Sequence, residues 1–111
     1  MEITVTSQPN CDLVAIKGRI DSYTAPSLAD VLKNITEQNH FQIILDLGDV
    51  MYVSSAGLRV LIDIQKTCKK IHPGEVLLVN VPQRVYDTLE LAGFVPLFRF
   101  FQDVDSALTA F

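Results

Sequence analysis

What this chain has little of removes whole classes of function. Cysteine occurs twice, as Cys11 and Cys68. Their separation fits no metal-ligand spacing and Cys68 falls on the apolar face of a predicted helix, so both read as buried thiols in a reducing, cytoplasmic setting. No apolar run reaches the roughly 18 to 20 residues that span a bilayer. Met1 to Thr6 alternates like a strand, without the basic flank, apolar middle and small-residue cleavage site of a signal peptide. A soluble protein without membrane insertion is expected. Basic runs stop at Lys69-Lys70, and nine Lys and Arg against 13 Asp and Glu leave a formal charge of −4, which argues against nucleic acid as a partner. The two histidines, His40 and His72, fall in predicted loops at helix ends, where dipole compensation or solvation is the ordinary role. A serine nucleophile therefore lacks a base. Gly-x-Ser-x-Gly, Gly-x-x-x-x-Gly-Lys and His-Glu-x-x-His are all absent, and no catalytic residue, cofactor or metal is expected.

What is present is one core. The chain has 111 residues, 49% of them hydrophobic and 20% charged, enough for a single domain over 1–111 and too little for two. Ile3 to Ser7 and Leu13 to Lys17 read as strands of a hairpin turning at Gln8-Pro9-Asn10. A helix follows from Thr24, with Thr24 as N-cap, Pro26 in the first turn, and Leu28, Val31, Leu32 and Ile35 down one face. Phe41 to Leu47 is nearly continuous in its apolar centre, the pattern of a central strand covered on both faces. From Ser55 to about Ile71 a second helix aligns Leu58, Leu61, Ile62, Gln65 and Cys68. Val60, Ile64 and Ile71 widen that apolar surface, a width for which packing against a neighbouring helix is the preferred reading and a partner-binding patch the other. Pro73-Gly74 ends it. Glu75 to Val79 is a further buried strand, and strand, helix, strand implies a parallel crossover. Pro82 starts a third helix with Val85, Leu89 and Ala92 directed inward and Gly93 as C′ residue. Leu97 to Phe101 reads as a strand, and Asp103 caps a last helix carrying Val104, Ala107, Leu108 and Phe111. The fold class is α/β: a mixed, mostly parallel sheet of about four to five strands with about four helices.

Several polar residues fall at element ends, where sites form. Asp21 follows Gly18-Arg19-Ile20, and its ordinary role there is a turn or helix-entry hydrogen bond. Asp46 and Asp49 flank a turn expected around Gly48. Ser54 and Ser55 stand between a strand and a helix, where a hydroxyl can cap backbone N–H groups and a phosphate can be received by the helix N-terminus. On local chemistry the two serines are interchangeable, with N–H groups near Gly57 and Leu58 as donors to a phosphate and Arg59 one turn from Ser55 as a pairing cation.

Leu13 to Asp21, Ile43 to Leu47 and Tyr52-Val53-Ser54-Ser55-Ala56-Gly57-Leu58-Arg59-Val60-Leu61 follow the order and spacing of STAS domains. The chain as a whole resembles the stand-alone bacterial anti-sigma factor antagonists. That resemblance implies a partner switch: the unphosphorylated protein binds an anti-sigma factor that is commonly a serine protein kinase, phosphorylation ends the contact, and a metal-dependent serine phosphatase restores it. Many members read Asp-Ser-(Ser/Thr/Ala)-Gly-Leu at the turn. Aligning Gly57 and Leu58 makes Ser55 the phosphoacceptor and Ser54, second choice, the occupant of the usual acidic position. Asp21 corresponds to a recurrent aspartate near the loop. Two other functions are weighed beside it: a STAS adaptor without phosphoregulation in a signalling or transport complex, and a small phosphotransfer enzyme using Cys11 or an acidic site.

Overall fold

The computed structural model describes residues 1–111. Five strands form one sheet in the order β1-β2-β3-β4-β5: β1 (Glu2–Ser7), β2 (Asp12–Ile20), β3 (Gln42–Val53), β4 (Glu75–Val79) and β5 (Arg99–Phe101). The β1–β2 hairpin is antiparallel, and β2 through β5 are parallel neighbours. The helices are α1 (Ala25–Glu37), α2 (Ser55–Lys69), α3 (Gln83–Leu91) and α4 (Val104–Leu108).

Strand β3 shows why its sequence lacks alternation. Ile43 and Leu45 face a core shared with Leu28 and Leu32 of α1, Leu61 of α2 and Leu89 of α3. Ile44 points the other way, with Leu77, Val79 and Ala107 of α4. Both faces are dry, so a continuous apolar run is required rather than an alternating one. The breadth of α2 has the expected cause, since Ile64 joins Leu32 in the same core and the two helices pack together.

Some boundaries differ from the sequence reading for identifiable reasons. The turn expected at Gly48 does not exist: β3 runs through it to Val53, and Asp46 Oδ1 accepts the Gly48 N–H at 3.0 Å and the Asn80 amide at 3.2 Å. The carboxylate holds the two chain segments instead of flanking a loop. Helix α2 ends at Lys69, leaving Ile71 beyond it and exposed. Ala92 is the exposed C-cap of α3 rather than a core residue, while Gly93 follows it with φ +77° as expected of a C′ glycine. Val95–Leu97 forms a 3₁₀ turn, so β5 starts only at Arg99.

That late start leaves Val76 without a partner on β5, because pairing begins at Leu77 opposite Arg99. Gln65 fills the gap. Its Oε1 accepts the Val76 N–H at 2.7 Å, and its Nε2 donates to Val76 O at 3.1 Å and to Leu97 O at 2.9 Å. A buried amide on an apolar stripe thus ties α2 to β4 and to the 3₁₀ turn. An unsatisfied buried N–H is costly, which accounts for glutamine at this position.

Helix entry also departs from expectation at Thr24. As N-cap residue it makes no side-chain cap; its hydroxyl donates to Arg19 O at 2.8 Å and accepts the Asp21 N–H at 2.9 Å. Asp21 Oδ1 takes the N–H groups of Tyr23 (2.9 Å) and Thr24 (3.1 Å). The Thr24 N–H above all, then the Tyr23 N–H and the Arg19 charge, lower the Asp21 carboxyl from its ordinary 3.8. Asp103 caps α4 by accepting the Ser106 N–H at 2.8 Å and is lowered for the same reason.

Two outcomes follow. A folded-state carboxyl below its unfolded value stabilises fully above the unfolded value and loses that contribution as pH falls through the lowered one. The stability difference between wild type and Asp21→Asn should therefore be constant near neutrality and close below about pH 4 in urea titrations. Gln65→Leu, which strands the Val76 N–H, should cost about 1–3 kcal/mol by urea unfolding.

Candidate functional site

The C-terminal ends of β2 and β3 meet the start of α2 in one small junction. Its tightest point is Gly57. A Cβ there would lie 2.7 Å from Ile20 Cγ2, 2.9 Å from Ile20 O and 2.9 Å from Val53 Cγ1. Only a residue without a side chain lets the helix backbone approach β2 this closely. Across the same contact the Ser54 N–H donates to Ile20 O at 2.8 Å.

This junction separates the two serines that local sequence chemistry left equivalent. Ser54 is the N-cap of α2, extended at φ −84° and ψ 175°, and its hydroxyl accepts the Gly57 N–H at 3.2 Å. It is partly buried. Ser55 is the first helical residue and is exposed. One hydroxyl is engaged in holding the helix end, and the other faces solvent.

The N–H groups at the start of α2 are engaged differently from the sequence expectation. Gly57 and Leu58 are not free for an anion: the first is capped by Ser54 Oγ, and the second bonds Ser54 O at 2.8 Å. With the Ser54 N–H committed to Ile20, the unpaired donors of this terminus are those of Ser55 and Ala56. Leu58 contributes instead as a buried core residue. Arg59 is exposed and lines, together with Ser55, Leu58 and Ile62, a surface depression of about 430 Å³.

Asp21 belongs to the same edge, because it directly follows Ile20, on which Ser54 rests. Its carboxylate shapes the β2–α1 turn as described and lies 3.9 Å from Arg19 Nε. The Arg19 guanidinium in turn sits 4.5 Å over the Tyr52 ring. Sequence reasoning passed over the apolar side chains around these groups. Tyr23 is 91% exposed, Met51 59% and Tyr52 40%. The available signal was their position: all three fall at the same strand ends as the serines, where burial has no use for them.

The other chemically reactive groups lie elsewhere or are inert. Burial, then the neighbouring Asp12 charge, raises the Cys11 thiol, and burial pushes Cys68 up to about 11. Both thiols are free and buried, which disfavours the thiolate that a phosphotransfer cysteine would need. His40 is not merely solvated: its Nδ1 lies 2.8 Å from Oδ2 of buried Asp12, at the start of β2 and at the opposite end of the sheet from the serines. Gly57→Ala should destabilise the fold by about 1–3 kcal/mol through overpacking against Ile20, measured by urea unfolding.

Comparison with known proteins places the fold and the sequence. Residues 2–107 match the STAS domain family. The chain is 28% identical over 111 residues to BtrV of Bordetella bronchiseptica, named as a candidate anti-sigma factor antagonist, covering 100% of this chain and 95% of that protein. It is 28% identical over 108 residues to the anti-sigma-F factor antagonist RsfB of Mycobacterium tuberculosis, covering 96% and 86%. Its fold superimposes on the phosphorylated form of the Bacillus cell fate determinant SpoIIAA with a TM-score of 0.76, at 12% identity over 98% of each chain. With the family match over nearly the whole chain, and a five-stranded sheet with four helices, the chain belongs to the STAS domain family.

Proposed function

We propose that this protein is an anti-sigma factor antagonist, a binding protein rather than an enzyme, that acts in the cytoplasm as a phosphorylation-controlled partner switch. Its partner is an anti-sigma factor with serine kinase activity, and a metal-dependent serine phosphatase resets it. The observation that carries this reading is the division of labour at the α2 terminus. Ser54 is committed to the cap, whereas Ser55 is exposed, at strand ends that also expose Tyr23, Met51 and Tyr52, side chains suited to a protein partner. The curated relatives support the choice of partner by their names.

Magnitudes decide what phosphorylation does. A phosphate on Ser55 adds a charge of about −1.5 to −2. Its place at the first helical position is favourable by roughly 0.3–1 kcal/mol from the helix dipole, with the Ser55 and Ala56 N–H groups nearby and Arg59 at i+4. The fold therefore survives modification, and a relative of the same fold exists in phosphorylated form. In a docked interface the same charge, facing a like charge or left unpaired, costs several kcal/mol. The second effect is larger, so phosphorylation separates the partners without unfolding the domain. Asp21, Gly57 and Leu58 act by fixing the loop and helix that present Ser55.

The test is a quantitative pull-down with identification of the bound protein. Ser55→Ala should hold the anti-sigma factor whether or not ATP is present, and Ser55→Asp should bind about tenfold or more weakly. Ser54→Ala should lose about 0.5–2 kcal/mol of stability with the cap yet still release its partner upon phosphorylation. Wild-type behaviour of both Ser55 variants contradicts the proposal.

A further inference from the structure

The molecule is acidic overall, with nine Lys and Arg and a formal charge of −4, yet four of those nine cations gather on one strip. Arg59, Lys66, Lys69 and Lys70 lie along the exposed side of α2 and just past its end. They border two depressions, of about 430 Å³ and 460 Å³, which share Ile62 and Lys66 and so form one groove between α2 and the segment after α3. The groove starts at Ser55. Over the fifteen positions from there to Lys70 it follows α2 for about 22 Å at 1.5 Å per residue.

Its floor is apolar. Leu58 and Ile62 come from α2, Phe94 is partly exposed, and Leu97 is 43% exposed. The Gln65 amide holds Leu97 O at 2.9 Å, so this wall is fixed to the helix. The ion pairs of the chain involve Arg19, His40 and Arg99, which leaves all four groove cations without a carboxylate partner. Asp63 is the single acid along the lining. Dipole compensation explains Lys66 and Lys69, in the last turn of α2. It does not explain Arg59 near the positive end, nor the open Leu97.

We propose that this groove docks an acidic, amphipathic segment of the anti-sigma partner. Apolar side chains of the segment sit on Leu97 and Phe94, above the nearly buried Leu58 and Ile62, and its carboxylates meet Arg59, Lys66, Lys69 and Lys70. Charge complementarity selects the occupant: a basic segment is repelled by four cations, and a purely apolar one leaves them desolvated and unpaired. The proposal rests on the partner-switch reading and extends it. Because Ser55 and Arg59 border the same end of the groove, a phosphate on Ser55 competes with the segment for Arg59.

The test has two arms on the chain of 111 residues. In the first, a synthetic amphipathic peptide with glutamates on one face and leucines on the other is titrated by NMR, beside a counterpart carrying lysine for glutamate. Amide shifts centred on Ile62, Lys66 and Leu97 with the glutamate peptide, weakened about tenfold by the doubly substituted Lys66→Glu, Lys69→Glu chain and by raised salt, support the groove. Shifts centred elsewhere, or equal binding of the lysine peptide, overturn it. In the second arm, the same double variant and a milder Lys66→Gln, Lys69→Gln chain are compared with wild type for binding of the captured partner. Ordered weakening, Gln less than Glu, supports the proposal, and equal binding of all three overturns it. If the captured partner proves not to be an anti-sigma factor, the function proposed above fails while the peptide arm still decides whether the groove takes acidic segments.

Discussion

Because Gly57 has no side chain, α2 can begin with its backbone pressed on Ile20, and the rest of the site depends on that contact. With the helix seated at this distance, the Ser54 N–H reaches Ile20 O and the Ser54 hydroxyl turns inward to the Gly57 N–H. Ser55 is then the first residue to emerge. A methyl group at position 57 would push the helix away from β2 and loosen every one of these relations together. The geometry accounts for a glycine two residues after the exposed serine without any appeal to flexibility, since the constraint is close approach.

The contact also sets what kind of switch is available. A phosphate placed on an engaged cap would have to break a hydrogen bond that secures the helix end, coupling modification to local unfolding. Placed on Ser55 it meets solvent, two unpaired N–H groups and Arg59. Modification at that position changes the surface and leaves the core as it was. In the proposed function, binding energy at the edge, rather than fold stability, is the quantity that phosphorylation changes.

Much of this was legible in the residues and some was not, for physical reasons. Long periodic patterns and strong punctuation read correctly: the continuous apolar centre of β3, the stripe of α2, Pro73-Gly74 and Asp103 each act through local chemistry. What failed depended on neighbours distant in sequence. Gly48 signals a turn, but pairing with β2 carries β3 through it to Val53. Leu97 to Phe101 has strand composition, but the 3₁₀ turn claims Leu97, and Gln65, 32 residues earlier in the chain, supplies the missing partner. Thr24 has the chemistry of a cap, and Arg19 O takes its hydroxyl instead. At the site, the two serines could be separated locally only by knowing that Gly57 touches Ile20, a contact between segments that the sequence order keeps far apart.

The central claim is that position, not residue type, makes one hydroxyl the acceptor and its neighbour the cap. Its most direct measurement is fragmentation mass spectrometry that localises phosphate on the wild-type chain after treatment with ATP and the captured kinase, combined with amide hydrogen exchange of the product. The account predicts phosphate on Ser55, with the Gly57 and Leu58 amides as protected as before. Phosphate on Ser54, or loss of protection at those two amides, would contradict it.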